Sequence, residues 1–206
     1  MKLYQDLARF YDMLYSYRDY ENEAKFLLKE WKKSKDKINI LDVACGTGNH
    51  LAAIRRLEPS SIIFGVDISS GMLEVARQKG LTAKLVEGDM RDFSLNEQFN
   101  LVFSLSSSIQ YNLTEEDLRK TLDNFARHSP TGKIIFDLAY CKERWREGYT
   151  NITANSNERF EVAELFTSHS RDGISFWNPL YLIKDNSTGR VDMHVDKQRI
   201  RIYSIE

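Results

Sequence analysis

Leu41-Asp42-Val43-Ala44-Cys45-Gly46-Thr47-Gly48 joins an apolar run to a glycine turn, and from about Asn49 apolar residues return at helical spacing. A strand that enters a helix through small residues leaves backbone open to a ligand at the helix start. Outward from this turn, INILDV (38–43), IIFGVD (62–67), TAKLVEG (82–88), FNLVFSL (99–105) and GKIIFDL (132–138) read as short buried strands. HLAAIRRL (50–57), GMLEVARQK (71–79) and EDLRKTLDNFARH (116–128) read as the amphipathic helices between them. Strand–helix alternation means parallel pairing through right-handed crossovers, with helices on both faces and ligands at the carboxyl ends of the strands. The fold class is therefore α/β, a doubly wound and mostly parallel sheet.

Residues 1–34 carry Leu3, Leu7, Phe10, Tyr11, Leu14, Ala24, Phe26, Leu27 and Trp31 at helical spacing. They predict two amphipathic helices broken near Tyr17 to Asp19. From about residue 157 the pattern changes to period two, in ERFEVAELFTSHS (158–170), ISFWNPLYLIKD (174–185) and GRVDMHVDKQRIRIYS (189–204). Three antiparallel strands are expected there, with the Asn/Ser-rich stretch Asn151 to Asn157 as the junction. The expected division is a cofactor domain with a helical cap at 1–150 and an antiparallel strand subdomain at 151–206, serving as substrate lid or dimer contact.

A chain of 206 residues, 42% of them hydrophobic, suffices for one well-cored domain with at most a small appendage. Lys and Arg number 29 against 30 Asp and Glu, a net charge of -1, so no field exists to hold a polyanion and no nucleic acid is expected as partner. Cys45 and Cys141 follow a polar start, MKLYQDLARF, that lacks a leader pattern, which fits a reducing cytoplasm. No run approaches the roughly 18 apolar residues that span a bilayer, so no membrane is expected either. His128, His169 and His194 lack metal-ligand spacing, and His50, on the first turn of a helix, is expected to cap it or face solvent. No metal is assigned.

The glycine turn alone does not separate ligands, because dinucleotide-binding domains use the same device. Two residues do. Leu51 stands where the dinucleotide fingerprint has its third glycine, and Asp42 sets a carboxylate beside the loop, where a pyrophosphate would be repelled. S-adenosylmethionine carries an ammonium and a sulfonium and no pyrophosphate, so the acidic strand end suits it and disfavours NAD. Asp67, nineteen residues after Gly48, ends the second strand where a carboxylate accepts from ribose hydroxyls, and its loss is expected to cost about 1 to 3 kcal/mol of cofactor affinity. In Gly88-Asp89-Met90-Arg91-Asp92, Asp89 is placed to accept from an adenine amino group while Met90 and Met72 pack on the purine. The fourth strand ends in Ser104-Leu105-Ser106-Ser107-Ser108-Ile109-Gln110-Tyr111, a polar floor for the reacting methyl.

Together these residues resemble the class I, Rossmann-like methyltransferases, and most closely the N,N-dimethyltransferases of nucleotide-linked amino sugars. The resemblance runs from about Tyr4 to Tyr203 and rests on Tyr11-Asp12-Met13-Leu14-Tyr15, LDVACGTGNHL (41–51), GVDISSGMLEVAR (65–77), GDMRDF (88–93) and SSSI (106–109). It implies that Tyr11, Ala44, Gly46, Gly48, Asp67, Ile68, Met72, Asp89, Met90 and Leu105 line S-adenosylmethionine, with Tyr11 closing over it. Tyr4, Ser107 and Tyr111 are the substrate-facing candidates. Tyr111 stands where those enzymes commonly show a histidine, and the family continues past the antiparallel strands whereas this chain stops at Glu206. A bare sheet edge would invite pairing, so a homodimer through the added strands is expected. The implied activity is methyl transfer to a small-molecule amine, such as an amino sugar, by in-line displacement, with positioning and desolvation supplying most of the rate and no obligatory general base. The alternatives are an oxygen acceptor, a non-catalytic methyltransferase-like subunit, and an NAD oxidoreductase that Leu51 and Asp42 oppose.

Overall fold

A computed structural model describes residues 1–31 and 37–205; the part of the N-terminal helical reading at 32–34 lies outside the described residues. The chain divides into two compact units, Asp19–Ala139 and Met1–Arg18 with Tyr140–Glu206.

The Asp19–Ala139 unit is the doubly wound sheet. Helix α2 (Tyr20–Trp31) precedes β1 (Asn39–Val43), α3 (Asn49–Leu57), β2 (Ile62–Asp67), α4 (Ser70–Gln78), β3 (Lys84–Glu87), β4 (Leu101–Ser104), α5 (Glu115–His128) and β5 (Lys133–Phe136). The strands pair in parallel in the order β3-β2-β1-β4-β5, as the alternation predicts. Period-two alternation builds two cores from the same strands. Ile40, Ile63, Leu101 and Phe103 meet α2, α3 and α4 through Ala24, Leu27, Leu51, Ile54 and Leu73 on one face. Leu41, Val43, Phe64, Val66 and Val102 meet Phe93, Phe99 and Phe125 on the other. Asp42 falls between Leu41 and Val43, in a strand whose other central positions are wholly apolar.

Leu51 and Gly65 together explain how a bulky residue occupies the fingerprint's third glycine position. A Cβ on Gly65 would lie 2.9 Å from Leu51 Cδ1 and 2.8 Å from Cys45 Sγ, so the space lies on the facing strand instead of on the helix. Helix ends follow the local chemistry. Thr114 accepts from the Asp117 N–H at the start of α5, whose first turn carries Glu115, Glu116 and Asp117 and whose last carries Arg127, complementing the helix dipole.

The second unit corrects three expectations. Among the described residues it holds seven strands instead of three: β6 (Thr150–Ser156), β7 (Phe160–Thr167), β8 (His169–Arg171), β9 (Ile174–Trp177), β10 (Leu180–Asp185), β11 (Val191–Val195) and β12 (Gln198–Arg201). They form two antiparallel sheets, β11-β10-β7-β6 and β12-β9-β8, because breaks at Ser168, Asn178-Pro179 and Asp196-Lys197 split each long alternating run in two. Asn151 to Asn157 is not a junction, since most of it is edge strand β6; pairing on one side only and little burial make its polar side chains compatible with a strand. The third difference is the N-terminus. Residues 1–18 belong with the antiparallel sheets, as a 3₁₀ turn (Ala8–Phe10) running into the one-turn helix α1 (Tyr11–Leu14) instead of one continuous helix. Leu3, Leu7, Phe10 and Leu14 bury against Val162, Tyr181 and Ile183. The division thus falls at 18/19 and 139/140, where the sequence places it at 150/151.

The opposite face of the four-stranded sheet carries two apolar cross-strand rows. One runs Val195–Leu180–Leu165–Ile152 and the next Met193–Leu182–Ala163–Ala154, with Ile152 and Met193 70% and 67% exposed.

Candidate functional site

Three strand ends of the parallel sheet carry linked polar groups. After β1 the chain turns through Ala44, Gly46 and Gly48, all with positive φ (63°, 55° and 75°), a conformation costly for the alanine and natural to the glycines. The Cys45 N–H extends the β1–β2 pairing by donating to Val66 O (3.0 Å), and a Cβ on Gly46 would meet nothing within 4 Å, so the backbone is open there. Asp67, closing β2, holds this loop: one carboxylate oxygen accepts from Gly46 N (2.7 Å) and the other from Ser69 N (2.8 Å). Ser69 then caps α4 through Met72 N. Burial pushes the Asp67 carboxyl up, opposed by these two N–H donors.

Asp42 is 1% exposed, and among the described residues its Oδ2 has no hydrogen-bond partner. Burial, then the charge of Asp67, raises its carboxyl well above the usual range. A buried carboxylate oxygen without a donor carries a desolvation penalty that an arriving cation or donor relieves. Burial and the two carboxylates likewise raise the Cys45 thiol, which makes it an inert core group and not a nucleophile.

Beyond β3, Asp89 accepts from the Arg91 N–H (2.9 Å) and pairs with its guanidinium (2.5 Å), so its carboxyl is held below the ordinary range. It shapes the loop as a turn carboxylate. Met90 is fixed by α5 and its preceding turn: Asn124 Nδ2 donates to Met90 O (3.2 Å) and Asn112 Nδ2 approaches Met90 Sδ (3.3 Å). Met72 is buried in α4, Leu105 is half-buried against the first core, and Ile68, 61% exposed, stands free after β2.

After β4, Ser106 and Ser107 adopt left-handed φ (64° and 60°), about 1–3 kcal/mol of strain each. Asp137, after β5, fixes them by accepting from Ser107 N (2.6 Å), while Ser107 Oγ accepts from Ala139 N (3.1 Å). Ser107 is therefore buried and its hydroxyl engaged by backbone. Tyr111 is half-buried at the end of a 3₁₀ turn, Ser108–Tyr111. His50 is neither a cap nor exposed: it is buried, 2.5 Å from Glu23 Oε2 and edge-on to Tyr20 and Phe103, because α2 covers the first turn of α3.

Tyr4 and Tyr11 lie in the antiparallel unit, their ring centroids 6.2 Å apart, with Tyr15 4.6 Å from Tyr11. Beside them is a network that sequence reasoning missed. Glu164, 4% exposed, accepts from the Tyr181 hydroxyl (2.9 Å) and, at long range, from Tyr15. Asp137 was also missed, although it stands at a strand end as Asp42 and Asp67 do. Glu164 gave no comparable signal, since an acidic residue in an alternating strand reads as solvent-facing.

A five-stranded parallel sheet with an acidic, glycine-opened first strand end and a carboxylate closing the second defines the S-adenosylmethionine-dependent methyltransferase class. Residues 40–132 match the methyltransferase domain family model. The chain is 31% identical to the dTDP-3-amino-3,6-dideoxy-alpha-D-glucopyranose N,N-dimethyltransferase of Streptomyces fradiae over 98% of its own length and 79% of that enzyme's. It is 34% identical to the dTDP-3-amino-3,4,6-trideoxy-alpha-D-glucopyranose N,N-dimethyltransferase of Streptomyces venezuelae, covering 82% of this chain and 71% of that one. DesVI of Streptomyces venezuelae superposes with a TM-score of 0.86 at 28% identity, covering 96% of this chain and 84% of that one. The chain belongs to the S-adenosylmethionine-dependent methyltransferases and is an enzyme of that family.

Proposed function

We propose that this enzyme methylates the amine nitrogen of a small acceptor, a nucleotide-linked amino sugar. The observation that supports the reading is similarity, over 98% and 82% of this chain and 79% and 71% of the relatives, to enzymes named as N,N-dimethyltransferases of dTDP-amino sugars. Bound S-adenosylmethionine supplies a methyl group on a sulfonium, open to in-line displacement by a neutral amine.

The residues have separable roles in this reading. The orphaned oxygen of Asp42 and the open backbone at Gly46 suit the cationic amino-acid end of the cofactor, with Ala44 and Gly48 shaping the turn between them. Asp67 has one carboxylate oxygen on the loop and one on α4, with lone pairs left for ribose hydroxyls. Ile68, Met72, Asp89, Met90 and Leu105 border the adenosine. Tyr111 faces the acceptor, and Ser107 acts on it through the strained turn that it stabilises. Since the amine sheds its proton to solvent, the chain needs to hold the acceptor and exclude water more than to supply a base. The near-neutral charge favours a small molecule over nucleic acid, and free Cys45 and Cys141 suit a cytoplasmic setting. Among the described residues no helix is long and apolar enough to cross a membrane.

Incubation with S-adenosylmethionine and dTDP-3-amino-3,6-dideoxyglucose should yield products one and two methyl groups heavier by mass spectrometry. An unmodified sugar, with methylation of its 3-hydroxy counterpart instead, would make the enzyme an O-methyltransferase.

A homodimer belongs to the same proposal, through the apolar face of the four-stranded sheet instead of its edge. The same patch on two copies is self-complementary, and sheets pack face to face about 10 Å apart. The row beside the patch holds Lys184 and Glu161 as an internal ion pair (2.8 Å), which leaves little charge for a polar partner. Sedimentation should give twice the 24.0 kDa chain mass, falling to the single mass for Met193→Glu with the circular dichroism unchanged. A monomeric wild type would remove the proposal.

A further inference from the structure

We infer that the antiparallel unit carries a recognition site for an ammonium group, made by the Glu164 carboxylate and the tyrosine cluster of Tyr4, Tyr11 and Tyr15 that reaches it through the Tyr15 hydroxyl. The inference rests on the amine acceptor proposed above and names the groups that read it.

Glu164 sits in the middle of β7, opposite Tyr181 of β10, on the sheet face covered by residues 3–14. Its two hydrogen-bonding partners are neutral. Tyr181 donates at 2.9 Å to Oε1, whereas Tyr15 reaches the two oxygens only at 3.5 and 3.4 Å, the long end of the range. Among the described residues no Lys, Arg or His forms an ion pair with it, and the nearby cation Arg18 bears on Tyr17. Buried carboxylates are ordinarily paired with a cation, since hydroxyl donors compensate only part of the desolvation. Burial accordingly raises the Glu164 carboxyl, against the pull of Tyr181 and Tyr15.

The Tyr15 hydroxyl that reaches this carboxylate belongs to an aromatic cluster. Tyr4, Tyr11, Tyr15 and Tyr17 form a chain of rings with centroid spacings of 6.2, 4.6 and 6.2 Å, the first three half-buried and Tyr17 exposed. Ring faces attract cations and are indifferent to neutral polar groups of equal size, and a carboxylate behind them adds charge selectivity. The loosely bonded Tyr15 hydroxyl is the member that yields when a better donor arrives. A purely structural network would not need the charge, because a glutamine accepts the same hydroxyl bonds through its Oε1.

Glu164→Gln is therefore the discriminating variant. With ring-labelled tyrosine, titration of wild type with tetramethylammonium should give saturable shifts of the Tyr4, Tyr11 and Tyr15 resonances, and tert-butanol should give none. In Glu164→Gln the ammonium affinity should fall at least tenfold with thermal stability and S-adenosylhomocysteine binding retained. Tyr15→Phe keeps ring and charge and should keep the response, which covers the case of a Gln variant that does not fold. No ammonium-specific shift in wild type, or an undiminished one in folded Glu164→Gln, overturns the site. The acceptor reading is separated by a second pair of ligands, dTDP-3-amino-3,6-dideoxyglucose and its 3-hydroxy counterpart. A shift with tetramethylammonium but no binding of either sugar would remove the nucleotide-sugar reading alone; equal binding of both, without the shift, would remove the ammonium site alone.

Discussion

Asp42→Asn is expected to stabilise the ligand-free enzyme while weakening S-adenosylmethionine binding by about ten- to a hundredfold, the worth of one charge-assisted hydrogen bond in a buried site. The two effects have one cause. Asp42 is fully buried, one of its oxygens finds no donor, and its carboxyl is pushed up by burial and by Asp67. A carboxyl whose folded-state pKa lies above its unfolded value contributes most below the unfolded value, about 3.9, and loses that contribution as pH rises. At neutral pH the free enzyme therefore carries a cost that a neutral amide lessens, on the order of 1 kcal/mol. A cationic ligand reverses the sign, since it favours the ionised carboxylate, so binding should release protons. Calorimetric titration in two buffers of different ionisation heat reads that release directly. A variant that is less stable when empty and binds with unchanged affinity and proton release would remove Asp42 from the site.

The legibility of this chain in its sequence follows where each signal resides. Five strands and three crossover helices were readable because parallel strands buried on both faces must be continuously apolar, and because Gly46 and Gly48 mark a turn few other residues tolerate. The acidic strand ends Asp42 and Asp67 were readable for the same reason: a carboxylate inside an apolar run is conspicuous. The antiparallel region was harder to parse. Short strands separated by only one or two residues merge into one alternating run, so β7 with β8, β9 with β10, and β11 with β12 each look like a single strand. Strand β6 was hidden by its composition, since an edge strand with little burial tolerates Asn, Thr and Ser. The placement of residues 1–18 was beyond local reading altogether. Helical spacing reports that Leu3, Leu7, Phe10 and Leu14 share a buried face, but the partners Val162, Tyr181 and Ile183 lie well over a hundred residues away.

The same contrast separates Asp67 from a residue that only binds ligand. Its sequence position suggests a ribose acceptor; its hydrogen bonds make it the clasp of the site, joining the glycine loop at Gly46 to the start of α4 at Ser69. Asp67→Ala should therefore lose more than the about 1 to 3 kcal/mol of cofactor affinity expected from charged hydrogen bonds alone, because Gly46 N–H and Ser69 N–H are left without their acceptor. Asp67→Asn should be intermediate, since its amide accepts one N–H through Oδ1 and turns a competing donor toward the other. Two measurements separate clasp from ligand group. Calorimetry gives the affinity for S-adenosylhomocysteine, and hydrogen exchange gives the protection of the Gly46 and Ser69 amides in the empty enzyme. A clasp predicts that both amides exchange faster in Asp67→Ala even without ligand, with affinity falling in step. Unchanged protection with weakened affinity would leave Asp67 as a ribose acceptor only, and unchanged affinity would refute both roles.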